Sequence, residues 1–279
     1  MPELPEVETV RRGLAPRLTG RTLVGVDIRD GRLTAPLDPV EVGLELGGER
    51  FTGVGRRGKY LLFEFVTGRT LVAHLRMTGW FHHRPPASTE PPPAHVRAVF
   101  DLDDGSTLVY RDQRRFGTMR LIEPGELEDY LRPRAGPEPL SADWSPRRLR
   151  ADLAGRRAPV KALLLHQGIV AGVGNIYADE ALWQARIHPL QPGGSLTAAE
   201  VRRLHAAVVE SLERGIDSRG ASIRDYRDVD GERGGMQERF AAYARTGEPC
   251  PRCGTPIEKI RVAQRGTHLC PRCTRLRSA

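Results

Sequence analysis

The chain has 279 residues, which is long enough for two domains or for one domain with a smaller satellite. Its formal net charge of +8 and pI of about 9.8 indicate a polyanionic partner. No apolar run approaches the length of a membrane span, and the N-terminus is too acidic for a signal peptide. We therefore expect a soluble cytosolic protein with no membrane partner.

The opening stretch, MPELPE at residues 1–6, suits two different roles. If Met1 is removed, which the small Pro2 permits, the chain begins with a secondary amine followed by the carboxylate of Glu3. An α-amino group is roughly one-tenth free base at pH 7, and the free base is the nucleophilic form. Attack on an aldehyde-level carbon would give a cationic iminium, with Glu3 beside it to move protons. Pro2 and Pro5 equally suit the first turn of a helix, so this stretch alone leaves both interpretations open.

Behind this opening, the first part of the chain predicts one helix and then strands. Val7, Val10, Leu14 and Leu18 recur at helical spacing and indicate an amphipathic helix. Short β-rich runs follow, separated by glycine and Asp-Gly turns, at residues 22–28, 59–66, 70–75, 96–102, 107–110 and 118–122. This pattern predicts a sandwich of antiparallel strands. The five prolines of residues 84–94 predict a solvated loop within it.

The second part of the chain reads as helical after a linker-like stretch at residues 136–139. Residues 145–146, Ser-Pro, suit an N-cap and a first helical turn, and residues 160–165 form an apolar helical run. Thr197 and Glu200 form a capping box before a long helix. These signals predict a helical domain.

A glycine-rich turn, GVGN at residues 172–175, opens a further helix in this part. The backbone N–H groups at such a helix start, together with the helix dipole, suit a phosphate. Capping of the helix by Asn175 is the commoner use of such a residue, so both interpretations stay open here.

All four cysteines lie within the last thirty residues, as two C-x₂-C pairs separated by sixteen residues. This spacing is typical of a four-cysteine zinc site, and a cytosolic setting disfavours the alternative of two disulfides. Four thiolates leave no open coordination position, so we predict one structural Zn²⁺. Its ligands would be Cys250, Cys253, Cys270 and Cys273. The basic stretch between the pairs predicts a hairpin suited to sugar-phosphate contact, with Lys259, Arg261, Gln264, Arg265 and His268.

Motifs along nearly the whole chain together resemble formamidopyrimidine-DNA glycosylase, a bacterial family of bifunctional base-excision enzymes for oxidised purines. They are PELPEVET at residues 2–9, RGKYL at 57–61, HLRMTG at 74–79, RRFG at 114–117, GVGNIYA at 172–178 and QRGT at 264–267. The resemblance implies an α+β fold in three domains, with DNA held between them. These are a helix-flanked antiparallel β-sandwich (1–132), a helical helix–two-turn–helix domain (136–230) and a C-terminal zinc-finger β-hairpin (238–279).

The resemblance also implies a chemistry and a role for four residues. Pro2 would attack C1′ of the damaged nucleotide, and Glu3 would shuttle protons and help to open the deoxyribose. The resulting iminium would permit β-elimination and then δ-elimination, which cut the strand on both sides. Lys59 would assist elimination near the lesion phosphate, and Arg265 would serve the second elimination and bind phosphate. The sequence alone would favour Lys59 as a solvated residue at a strand edge.

Further DNA contacts follow from the resemblance, because a base must leave the duplex before it can be processed. Met77, Arg114 and Phe116 match a three-residue wedge that fills the vacated stack, although Met and Phe singly are more often core residues. Other candidates for contact are Glu6, His74, His95, Arg157, Lys161, Asn175 and Tyr243. Residues 222–237 match a mobile lesion-capping loop. The expected partner is double-stranded DNA with oxidised bases or abasic sites, bound by a monomer in the bacterial cytosol or nucleoid.

Three positions depart from the family pattern. Arg76 stands where glycine is usual, Met236 stands where an aromatic or other residue often precedes the glutamine of the capping loop, and a usual histidine is missing near His95. Two other functions stay open from the sequence. One is an endonuclease VIII-like sister enzyme for oxidised pyrimidines, and the other is a non-catalytic zinc-ribbon module that binds DNA.

Overall fold

The structure is a computed structural model that describes residues 1–89, 91 and 93–277. Its contacts divide the chain into two compact units. The first contains Met1–Arg132 and Ser218–Gly235, and the second contains Pro133–Asp217 and Met236–Ala279. The three-domain division is finer than these two units and stays a prediction. Two residues of the expected proline-rich loop, Glu90 and Pro92, lie outside the described residues.

The first unit begins with helix α1, Leu4–Leu18, as the sequence predicts. Glu3 and Glu6 form its capping box, and Pro5 lies in its first turn, where a missing N–H costs no hydrogen bond. The four apolar positions that predicted the helix are completely buried. Helix α1 therefore presents one apolar face to the core of the unit and fixes the position of the chain's first residues.

Two four-stranded antiparallel sheets form the predicted sandwich. One sheet has the order β1-β6-β7-β5 and the other has the order β2-β3-β4-β8. The strands are β1 Leu23–Ile28, β2 Phe51–Arg57, β3 Tyr60–Phe65, β4 Thr70–His74, β5 Gly79–Arg84, β6 Val96–Leu102, β7 Thr107–Asp112 and β8 Thr118–Ile122. Two short helices, α2 Pro39–Leu46 and α3 Leu127–Leu131, complete this part. One apolar cluster joins α1 with residues of both sheets, so the helix and the sandwich share a core.

Residues 218–235, which we call the return segment, come after the helical part of the chain but belong to the first unit. Val229 is 1% exposed and lies in the core cluster of α1 and the sandwich. The fold class is confirmed, and the return segment is an addition to it that the sequence did not predict.

In its described residues, the second unit contains four α-helices of eight, six, eleven and twenty residues, two short 3-10 helices and one hairpin. The α-helices are α4 Pro146–Leu153, α5 Val160–Leu165, α6 Asn175–Ala185 and α7 Ala198–Asp217, and the hairpin strands are β9 Glu258–Val262 and β10 Arg265–Leu269. Ser145 caps α4 through the Arg148 N–H, and Thr197 and Glu200 form the predicted capping box of α7. In the described part of the chain, no helix has the length and apolarity needed to cross a membrane.

Candidate active site

Residues Pro2 to Glu6 lie inside the first unit, whereas Met1 before them is exposed. Pro2 is buried, and Glu3 and Glu6 are only 3% and 1% exposed. One carboxylate oxygen of Glu6 accepts the Glu3 backbone N–H at 2.7 Å, and the other accepts the Ala221 backbone N–H at 2.7 Å. Glu6 thus connects the backbone of Glu3 to the return segment. Any direct contact of Glu6 with DNA would have to compete with these two bonds.

The α-amino group of Met1 has a pKa below its ordinary value. Burial is the largest cause, since it disfavours the charged form, and the nearby positive charge of Lys59 lowers the pKa further. The carboxylates of Glu3 and Glu6 oppose both effects. A lowered pKa increases the fraction of free base at neutral pH, which is the form that can attack an electrophilic carbon.

Lys59 lies in the two-residue turn between β2 and β3, where the sequence favoured a solvated position. That expectation is wrong, because the residue is only 6% exposed. Gly58 before it has a φ of +56°, which glycine adopts at little cost, and Arg57 and Tyr60 are paired on either side. The tight turn places the ammonium group close enough to the N-terminus to affect its pKa.

His74 ends β4 and is neutral. Burial and the positive charges of Arg76 and Lys59 lower its pKa to about 3. Its Nδ1 accepts the Arg76 backbone N–H at 2.9 Å, so the proton of the neutral ring is on Nε2. The side chain can therefore donate a hydrogen bond from Nε2 without carrying a charge.

The loop after β7 presents Arg114 and Phe116 outward. Buried Asp112 accepts the backbone N–H groups of Arg114 and Gly117, at 3.2 and 2.7 Å, so one carboxylate shapes the loop. Arg115 forms an ion pair with buried Asp30 at 2.5 Å, so this arginine is turned away from its neighbours. These contacts hold the backbone of the loop and leave the side chains of Arg114 and Phe116 exposed.

Phe116 is 52% exposed, and the Arg114 guanidinium lies 4.7 Å from its ring centroid. A core role for Phe116 is therefore wrong. An exposed aromatic ring with a stacked guanidinium suits contact with a base stack. Met77 is half-buried, so a part of its side chain remains available.

A cavity of about 150 Å³ opens in the first unit next to this loop. Strand and loop residues of the sandwich line one side, and the return segment lines the other. The lining residues are Thr78, Trp80, Arg111, Gln113, Arg224, Asp225 and Arg227. The Arg111 guanidinium lies 5.4 Å from the Trp80 ring, so the cavity combines aromatic and cationic surfaces.

Arg265 lies in the second unit as the first residue of β10, and it is exposed. It follows a two-residue hairpin turn, Ala263 and Gln264, in which both residues have positive φ. The carbonyl group of Gly266 accepts from Asn175 Nδ2 at 2.9 Å and from Lys161 Nζ at 3.3 Å. Two side chains of the helical part therefore fix the strand beside Arg265.

Asn175 does not cap α6 as one interpretation of the sequence had it. The N-cap is Gly174, and the Asn175 side chain reaches the hairpin instead. Lys161, predicted as a phosphate contact, is completely buried and forms a 2.6 Å ion pair with buried Asp179. A direct contact of Lys161 with phosphate would require that pair to open. Asp179 also accepts the His268 backbone N–H at 2.8 Å.

Three further predicted contacts differ in their surroundings. His95 and Arg157 are exposed, the first with a φ of +64° in the turn before β6. Tyr243 is half-buried, with its ring edge against His268 at 5.0 Å between centroids. Its backbone N–H and those of the two residues before it donate to buried Glu180, which anchors this stretch to α6.

The four cysteines form a cluster that fits a zinc ion. Their Sγ atoms all lie within 4.8 Å of one another, and the described contacts range from 3.4 to 4.0 Å. A tetrahedral site with Zn–S bonds of 2.3 Å places sulfur atoms about 3.8 Å apart. No disulfide joins any of the four cysteines, so the alternative of two disulfides is wrong. The cluster is suited to one structural Zn²⁺.

An indole supports the zinc cluster from outside. Trp183, near the end of α6, donates its Nε1–H to Cys250 Sγ at 3.4 Å. Arg252 stacks on the Trp183 ring at 4.1 Å and donates to the Trp183 carbonyl group at 3.1 Å. The first cysteine pair is therefore held against α6 by contacts beyond the metal ligands.

Comparison with known sequence families accounts for three stretches of the chain. The formamidopyrimidine-DNA glycosylase N-terminal domain matches residues 1–119, and the H2TH domain of the same enzymes matches residues 135–227. A zinc finger found in these glycosylases and in isoleucyl-tRNA synthetase matches residues 247–275. The chain belongs to the formamidopyrimidine-DNA glycosylase family. This membership agrees with the resemblance in the sequence.

Relatives of this family match the chain nearly end to end. A formamidopyrimidine-DNA glycosylase of Symbiobacterium thermophilum is 51% identical over 98% of this chain and 89% of its own length. That of Chloroflexus aurantiacus is 48% identical over 98% and 97%. Among solved structures, a Lactococcus lactis enzyme bound to DNA containing Fapy-dG has a TM-score of 0.92 at 38% identity. It covers 98% of this chain and all of the solved chain.

Sequence reasoning missed the buried carboxylates that organise the site. Asp112, Asp179 and Glu180 each accept backbone N–H groups of a segment that carries predicted contacts. Asp112 lies two residues before Arg114. This is a common spacing for a side chain that accepts a hydrogen bond from a backbone N–H of the turn that follows it. Asp179 and Glu180 gave no such local signal, because their partners are more than 60 residues away.

Proposed function

We propose that the protein is a bifunctional DNA glycosylase and AP lyase of base excision repair, acting on oxidised purines such as 8-oxoguanine and formamidopyrimidines. The observation that carries this proposal is the burial of Pro2 and Glu3 at the start of the chain. The α-amine of Met1 next to Pro2 has a lowered pKa and interacts with the charges of Glu3, Glu6 and Lys59, and the Pro2 nitrogen would be exposed to the same charges once Met1 is lost. Such an arrangement suits a nucleophile with a proton-transfer group at its side. The relatives, matched over 89% and 97% of their lengths, are named formamidopyrimidine-DNA glycosylase.

The chemistry starts with the Pro2 nitrogen after loss of Met1. The nitrogen forms a bond to C1′ of the damaged nucleotide, the N-glycosidic bond breaks, and the base leaves with its electron pair and takes up a proton. Glu3 protonates the ring oxygen as the deoxyribose opens to the iminium. Loss of a C2′ proton expels the 3′ phosphate, and loss of the C4′ proton in a second elimination expels the 5′ phosphate. Lys59 assists near the lesion, and Arg265 binds phosphate for the second step.

The partner in this proposal is double-stranded DNA that contains oxidised bases or abasic sites. Solved complexes of the Lactococcus lactis enzyme contain Fapy-dG or an abasic site. Phe116, Arg114 and Met77 would fill the stack, and the 150 Å³ cavity would receive the extruded base. His74, His95, Arg157, Asn175 and Tyr243 would support the backbone. The bound zinc supplies a rigid cross-link under the hairpin, and the site of action is the bacterial cytosol or nucleoid.

Borohydride trapping tests the proposal directly. Wild-type protein and a duplex with one 8-oxoguanine are incubated with the reductant, and the adduct is digested and sequenced by mass spectrometry. We expect a covalent adduct on Pro2, and intact mass should show that Met1 is absent. The absence of an adduct with bound DNA would identify a binding protein rather than an enzyme.

Two variants separate the proposed roles of the first residues. Pro2→Gly keeps an α-amine but removes the secondary amine, and we expect slower trapping. Glu3→Gln keeps the shape of the side chain without its charge, and we expect loss of base excision with DNA binding retained. Normal excision of 8-oxoguanine by Glu3→Gln would contradict the role of Glu3. Preference for a thymine glycol duplex over 8-oxoguanine would favour the endonuclease VIII-like alternative.

A further inference from the structure

The return segment matches a mobile lesion-capping loop in sequence, yet most of it is built into the first unit. We infer that only residues 223–225 are able to move, and that Val229 docked beside Gly13 fixes the cavity for the extruded base. This inference rests on the proposed function and concerns which residues determine base excision. Its structural part stands on contacts within the first unit.

The docking of Val229 is tight. Its side chain is 1% exposed, in the core cluster of α1 and the sandwich. A Cβ atom added to Gly13 would lie 2.6 Å from Val229 Cγ2, so a larger residue there would force the Val229 side chain to shift. The Val229 carbonyl group accepts the His83 N–H of edge strand β5 at 3.0 Å. The segment is therefore joined to the helix by packing and to the sheet by a backbone hydrogen bond.

Asp228 holds the turn next to this residue. Its buried carboxylate accepts the backbone N–H groups of Asp230 and Glu232 at 3.1 and 2.9 Å. The Trp80 indole, which lines the cavity, donates to the Asp228 carbonyl group at 2.6 Å. The anchored turn thus holds Trp80, one of the sandwich residues that line the cavity.

The two ends of the segment are also held. Ala221 N–H donates to Glu6, the Gly235 N–H donates to the Ser218 carbonyl group at 2.8 Å, and the Gly234 N–H donates to Ser222 Oγ at 3.0 Å. Residues 223–225 lie between the held ends of the segment and the turn at Asp228, and all three are exposed. Two of them, Arg224 and Asp225, line the cavity. Residues 223–225 would thus move on a rigid support, the anchored turn, and would determine how the extruded nucleobase is held in the cavity.

This arrangement separates the two reactions of the proposed enzyme. Excision of a base needs the cavity, whereas cleavage at an existing abasic site has no base to hold. Loosening the anchor should therefore slow excision and spare cleavage of abasic DNA. Misplacement by about 1 Å can cost roughly a hundredfold in rate, so at least a tenfold loss of excision is expected.

The test uses Val229→Ala and Gly13→Ala, with Val24→Ala as the matched control. Val24 is in the same unit and 64% exposed, so the same truncation there disturbs no packing. Single-turnover release of 8-oxoguanine and cleavage of an abasic duplex are measured for each protein. We expect Val229→Ala and Gly13→Ala to slow base release at least about tenfold and to change abasic cleavage less than about twofold. Parallel changes in both reactions, or no change in either, would overturn the inference.

Hydrogen exchange followed by mass spectrometry tests the anchor without activity. In the wild-type protein, amides of residues 228–232 should exchange slowly and those of 223–225 quickly. Faster exchange at 228–232 in Gly13→Ala supports the anchor, and rapid exchange there in the wild-type protein overturns it. A wild-type protein that cleaves neither duplex would contradict the proposed function, while this measurement would still decide the anchor.

Discussion

Arg76 shows how a single residue departs from its family and still fits. Its φ is +53°, in the left-handed region where a side chain costs roughly 1–2 kcal/mol relative to glycine. The sequence shows that Arg76 is unusual for the family but does not show why glycine is usual at this position. The reason is the positive φ at the sharp turn between β4 and Met77. The bond from its N–H to His74 Nδ1 supports the turn. The departure thus leaves the path of the chain intact.

His74 provides a pH prediction at this scale. Because its folded pKa is about 3 and the unfolded value is near 6.5, the unfolded chain binds the extra proton first as pH falls. The stabilisation that comes from neutral His74 is complete above pH 6.5 and is lost as pH falls towards 3. In an NMR titration, its ring signals should not move between pH 8 and 5. We assign them with His74→Gln, and a midpoint near 6.5 would contradict the buried neutral ring.

At the scale of elements, local patterns predicted those helices and strands whose own residues determine them. Helix α1 and strand β6 follow from apolar periodicity. The sequence missed β2, because FTGVGRR has two glycines and two arginines and becomes a strand only by pairing with β3. It missed β5 for the same reason, since GWFHHR gains its ladder from β7. Tertiary pairing, rather than propensity, decides such segments.

The zinc finger and α6 are coupled through Trp183, and this coupling can be measured. Trp183→Phe keeps the ring but removes the N–H that donates to Cys250, so the thiolate loses a stabilising partner. We expect zinc to pass to a chelator several-fold to roughly tenfold faster. Trp80→Phe is the matched control, because its indole donates to a backbone carbonyl group in the first unit. Equal release rates for both variants would exclude a role of Trp183 at the metal.

Lys161 and Asp179 allow a direct phosphate contact to be distinguished from structural support of the hairpin. Replacing both residues, as Lys161→Met with Asp179→Asn, removes the buried pair without leaving one charge alone. If Lys161 supports β10, the salt dependence of DNA binding should keep its slope, whereas Arg265→Ala should reduce that slope by about 1. A similar reduction in the double variant would mean that Lys161 contacts phosphate itself.

Lys161→Met alone should be the more damaging change to stability. It leaves the Asp179 carboxylate buried without its cation, and we expect a loss of about 3 kcal/mol in the free energy of unfolding. Chemical denaturation of the single and double variants measures this difference. Equal stability of the two would show that the pair is not tightly coupled.

For the whole molecule, charge and metal act together. The chain carries +8 overall, and residues 233–279 alone hold ten Lys/Arg against three Asp/Glu. Four thiolates around Zn²⁺ bring a net −2 to that region, so the metal is needed to arrange the hairpin rather than to add charge. The basic surface gives affinity for DNA, and the zinc site gives that surface a fixed shape.

Cys253→Ser tests this division of roles. We expect loss of zinc and at least about tenfold weaker binding of duplex DNA at fixed salt, because the hairpin that presents Arg265 loses its cross-link. Metal analysis and a binding titration on the same sample measure both quantities. Unchanged affinity in a zinc-free sample would contradict the structural role of the site.

The position of Val229 has a consequence for how the protein folds during its synthesis. The first 132 residues contain both sheets, yet one side chain of their interior comes almost a hundred residues later in the chain. On a translating ribosome the sandwich would emerge before Val229. The space beside Gly13 would therefore stay empty, and the core of the first unit would be incomplete until the helical part had been synthesised. The buried residues at the start of the chain would then reach their final packing only after Val229 has been synthesised.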